Sequence, residues 1–187
     1  MSAVPDAPAR SGLERLCELL HAGGGLMATL VSGEEGAPLD GGAERSPAVV
    51  AAAGPRTAAR AAEYELLVEA IYEGYLLHYA SPRVVRVPEA DLGLLAGDQL
   101  YALGLARLID LGDTIAVAEL ADTITLSALA QGDGNPALAD VIWEAGARAV
   151  GWGPSEEHRR AKELVCAGSP GAIEAMRTSA RAAPAPR

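Results

Sequence analysis

No stretch of this chain alternates apolar and polar residues long enough to make a half-buried strand, and that excludes most folds at once. The apolar residues recur instead at spacings of three and four. Half of the residues are apolar, yet there is no Phe and the chain holds few aromatics of any kind. A core must therefore be built from Leu, Ala, Val and Ile, and Ala and Leu are among the strongest helix formers. These features predict an all-α fold, a helical bundle.

Helix signals punctuate the chain at regular intervals. Ser11 and Glu14 make a capping box ahead of Leu13, Leu16, Leu19 and Leu20, and Gly23 to Gly25 stop that helix. A short apolar piece, LMATLV, leads into the Gly/Glu-rich segment 32–47 and then AVVAAAG. A long pattern from about Arg56 to Ala80 offers Leu66, Leu67, Ala70, Ile71, Leu76 and Leu77 to the core, and Pro82 ends it. Pro88 suits the first turn of the next helix. Gly112-Asp113, Asn135-Pro136, Pro154-Ser155 and Ser169-Pro170 each read as a break followed by a new start. The organisation expected is a mobile Ala/Pro tail over 1–10, a bundle over 11–133, a helical appendix over 134–181 bounded by the loop GDGNP, and a second tail over 182–187.

A formal charge of −10 argues against a nucleic-acid partner, because phosphate contacts need a positive field. Cys17 and Cys166, far apart in sequence, read as reduced thiols of a cytoplasmic protein. The first ten residues carry no apolar segment of the kind a signal peptide needs. The run from Leu92 to Leu111 is long enough to span a bilayer, but Asp98, Arg107 and Asp110 interrupt it, and a buried core helix is the expectation.

Three groups of polar residues suggest chemistry. Glu65, Glu69 and Glu73 share one helix face, but no Glu-x-x-His accompanies them as a di-iron bundle requires, so a solvated acidic face is expected. Glu119 and Asp122 read the same way. His158 and Cys166 form too sparse a set for zinc. His78 ends an apolar helix, where the C-terminal dipole favours it. No nucleophile elbow, phosphate loop or metal box is present, so no catalytic residue, metal ligand or cofactor is assigned.

Taken in order, three further blocks resemble the polyprenyl diphosphate synthases. That family carries Gly-Gly-Lys-Arg-x-Arg-Pro early, then a helix ending Leu-Ile-His-Asp-Asp-x-x-Asp, then a helix opening Leu-Ala-Gly-Asp-Tyr-Leu. This chain reads GGAERSP at 41–47, LLHYASPR at 76–83 and LLAGDQLYALGLARL at 94–108, with LAQGD at 129–133 where the family's next helix ends. The likeness covers roughly residues 12–133 and implies a truncated isoprenoid-synthase fold. Gly41, Gly42 and Pro47 keep the first block, His78 keeps part of the second, and Ala96, Gly97 and Asp98 keep the third.

The departures decide what the resemblance implies. The family's diphosphate-binding Lys and Arg positions hold Ala43, Glu44 and Ser46, with Arg45 displaced by one. Its metal-binding aspartates correspond to Tyr79, Ala80 and Arg83. Magnesium needs carboxylate oxygens, and Glu44 would repel a diphosphate. The resemblance thus implies a subunit without catalytic activity of its own, joined to a catalytic prenyl synthase or to itself through apolar helices around 64–80 and 94–131. The competing expectations are a helical interaction protein of another assembly that keeps only the scaffold, and an enzyme rebuilt on Glu65, Glu69, Glu73 and His78. Ala96, Gly97 and Asp98 read as scaffold, with Gly97 letting a neighbouring helix approach and Asp98 favoured near a helix start.

Overall fold

The computed structural model describes residues 10–31 and 46–181. Among them are nine α-helices, α1 (Gly12–Gly23), α2 (Gly25–Leu30), α3 (Pro47–Ala52), α4 (Ala61–Tyr79), α5 (Ala90–Asp110), α6 (Thr114–Gly132), α7 (Pro136–Trp152), α8 (Glu156–Cys166) and α9 (Ala172–Arg181). The fold is all-α. The described residues contain no strand, and β-type pairing is confined to an isolated bridge between Val31 and Val85.

Five of the helices start where a side-chain oxygen accepts an otherwise unpaired N–H. Ser11 and Glu14 form the reciprocal capping box of α1. Asp113, Asn135 and Ser155 accept from the N–H groups of Ala116, Leu138 and His158 to open α6, α7 and α8. Gly24 and Gly112, with φ of 66° and 76°, supply the left-handed turns that separate α1 from α2 and α5 from α6. Pro88 lies ahead of the α5 N-cap, Glu89, rather than inside the helix. The pattern from Arg56 is not yet helix. Thr57 donates to Ala51 O at 2.7 Å and closes the end of α3, while Arg56 donates to Val150 O at 2.6 Å and ties the turn to α7. A 3-10 turn, Ala58–Arg60, precedes α4.

Helix α4 runs through the centre. Tyr64, Leu67, Val68, Ala70, Ile71, Tyr75 and Leu76 are buried on it. Tyr79 and Ala80, at its C-terminal end, are exposed. One apolar cluster joins Ala48 of α3 to Trp143 and Val150 of α7 and Met176 of α9. The loop at 132–136 joins α6 to α7, and buried residues on both sides of it belong to this one cluster. Burying Trp143 against α4 ties the segment after residue 133 into the same packed unit.

Helix α5 departs furthest from expectation. It is long and apolar enough to cross a membrane, yet only a third of its most apolar window is buried. Its packed stripe is Gly93, Ala96, Gly97, Leu100, Gly104 and Leu108, pressed on α4. A side chain on Gly97 would overlap the His78 ring, and one on Gly104 would overlap Ile71. Small residues let the two backbones close, and among the described residues no helix covers the opposite side of α5. Leu95 and Ile109 on its other side are 66% and 60% exposed. It is a surface helix with an apolar outer face, not a buried core helix.

Candidate functional site

Glu65, Glu69 and Glu73 share one face of α4, but the face is not solvated. Glu69 is 3% exposed and Glu73 is fully buried. Glu65 accepts from the Gly12 N–H at 2.9 Å and from Arg15 Nη2 at 2.8 Å, which docks α1. Glu69 accepts from Ser46 Oγ and Arg83 Nη2, both at 2.6 Å. Glu73 Oε1 takes the N–H groups of Arg83, Val84 and Val85 at 2.7, 2.7 and 3.2 Å, and its Oε2 faces Arg83 Nε at 3.2 Å. The charges are buried because each has donors enough to replace water. Charge spacing along a helix shows only that the acids share a face; the donors come from α1, from Ser46 and from the loop beyond Pro82.

Arg83 is the hinge of this network. It folds back over the Tyr72 ring, 5.0 Å from its centroid, and bridges two carboxylates one helical turn apart. The following residues turn with it, so that Arg86 N–H reaches Leu30 O at 2.7 Å beside the Val31–Val85 bridge. Loop 81–87 is thus tied to α4 by carboxylates and to α2 by backbone.

At the end of α4 the structure brings together His78 and the Ala-Gly-Asp block of α5. His78 Nε2 lies 3.3 Å from Asp98 Oδ1, though without the angle of a hydrogen bond. Its ring stacks on Tyr101 at 5.4 Å and meets Tyr79 at 5.8 Å. Ala96 is buried and Asp98 is exposed. Tyr79 is partly exposed, and Ala80 closes α4 through its N–H to Leu76 O at 2.9 Å. His78 is therefore held by rings and the Gly97 backbone. Pro47 opens α3 behind the cap Ser46. Gly41, Gly42 and Arg45 lie outside the described residues, as do Ala43 and Glu44 and the tails 1–9 and 182–187. Arg10, at the edge of the first tail, pairs with Glu18 at 2.7 Å.

A second polar centre joins α6, α8 and α9. Glu119 is buried, not solvated, while Asp122 one turn on is exposed. His158 Nε2 is 3.1 Å from Glu119 Oε2 and its Nδ1 is 3.3 Å from Ser179 Oγ. Lys162 Nζ adds bonds to Glu119 at 3.0 Å and Asp122 at 2.7 Å. Burial raises the Glu119 carboxyl, but donation from His158 and Lys162 outweighs it and holds the group below its ordinary range. Burial likewise opposes the Lys162 charge, and its two carboxylate partners reverse that and push it up. Ser, His and Glu here stand in the order of a hydrolytic triad. All three are buried, and the Ser179 hydroxyl donates to Met176 O at 2.9 Å, so nothing is poised for attack. These are joints between helices, which no local pattern in the sequence announces.

Cys166 is exposed at the end of α8 while His158 is buried a helix length away, so the two do not converge. Among the described residues no three His, Cys, Asp or Glu side chains gather as a metal set would. Comparison with models of protein families, with curated proteins and with solved structures finds no match to this chain.

Proposed function

We propose that the chain is a non-catalytic, prenyl-synthase-like helical subunit that associates with a catalytic polyprenyl diphosphate synthase. The observation that carries this reading is Arg83. The resemblance puts the last aspartate of a magnesium-binding motif at that position, and here it is a cation already engaged by Glu69 and Glu73. Where the family would present carboxylates to magnesium, this chain offers Tyr79, Ala80 and a guanidinium. Magnesium needs hard oxygen ligands with charge to spare, and the carboxylates nearest this position are saturated by internal donors. A second support is spatial: the blocks at 76–83 and 94–98, distant in sequence, lie side by side through His78, Gly97 and Asp98. These contacts hold a scaffold without requiring chemistry.

The test is to purify the tagged protein from its own cells and identify stoichiometric companions by mass spectrometry. A full-length synthase with both aspartate-rich motifs is the expected companion. Recovery of an unrelated assembly would instead favour the scaffold-only reading. Magnesium-dependent condensation by the pure chain would overturn the proposal outright.

A further inference from the structure

We draw no further inference here: the strongest candidate, the apolar surface patch on the outer side of α5 around Leu95 and Ile109, is exposed among the described residues, and nothing in the structure shows what covers it.

Discussion

The imidazole of His78 occupies the space that any side chain at position 97 would need. A Cβ on Gly97 would overlap that ring and come within 3.0 Å of Gly74 O. Two blocks separated by some twenty residues are thus fitted to each other by the absence of a single atom. Gly97→Ala should destabilise the fold by roughly 1–3 kcal/mol, the range for overpacking. Chemical denaturation followed by circular dichroism measures it, and His78→Ala in the same chain should recover part of the loss. A Gly97→Ala protein as stable as the parent would mean that the α4–α5 contact is looser than described.

Arg83 pairs with two buried carboxylates, Glu69 and Glu73. Removing it in Arg83→Met should cost about 3–5 kcal/mol, because a buried charge left unpaired is far more costly than a pair is beneficial. Combining Arg83→Met with Glu69→Gln should cost less than the two single changes added together. Additivity in that cycle would show that the guanidinium and the carboxylate do not act on each other.

Glu119 and Asp113 both titrate below their ordinary ranges. For Asp113, burial acts upward and is outweighed by donation from Tyr64, the Ala116 N–H and Arg56. A carboxyl whose folded value is depressed contributes stability that is fully present above its unfolded value and is lost as pH falls through the folded one. The loss should therefore begin near the unfolded values of about 3.9 for Asp and 4.3 for Glu and deepen below them. Glu119→Gln should be less stable than the parent at pH 7 and should approach it as pH falls. Parallel stability curves over that acid range would contradict the assignment.

Tyr64 supplies the matching signature on the alkaline side. Burial, and then the hydrogen bond to Asp113 at 2.7 Å, push its phenol up to about 12. A raised folded value gives stability present below the unfolded value, near about 10, and lost as pH rises toward the folded one. Absorbance titration should find a late-ionising phenol that Tyr64→Phe removes. An unchanged titration curve after that substitution would show that Asp113 does not hold the phenol.

How far the sequence reaches depends on the range of the interaction. Ser11 with Glu14, Asp113, Asn135 and Ser155 announce their helices because a cap acts within three residues. The all-α class follows from the same local spacing. Burial of Glu69 and Glu73 does not, since charges at i and i+4 look alike on a wet face and on a buried one. What buries them is Arg83, whose direction is set only when loop 81–87 folds back to pair with α2. The Glu119–His158–Ser179 joint spans three helices and leaves no mark at any fixed spacing. The α5 face misleads for a different reason: apolar content is legible along the chain, but whether a layer exists to cover it is decided by where α6 and α7 pack.

Calorimetric titration of the pure protein with magnesium and inorganic diphosphate tests the central claim most directly. With the acidic face closed by Arg83 and by the N–H groups of loop 83–85, no saturable heat is expected at millimolar ligand, for either component alone or for both together. Magnesium-dependent, saturable binding of diphosphate would contradict the account, because the chain would then hold the site that its own side chains are described as filling.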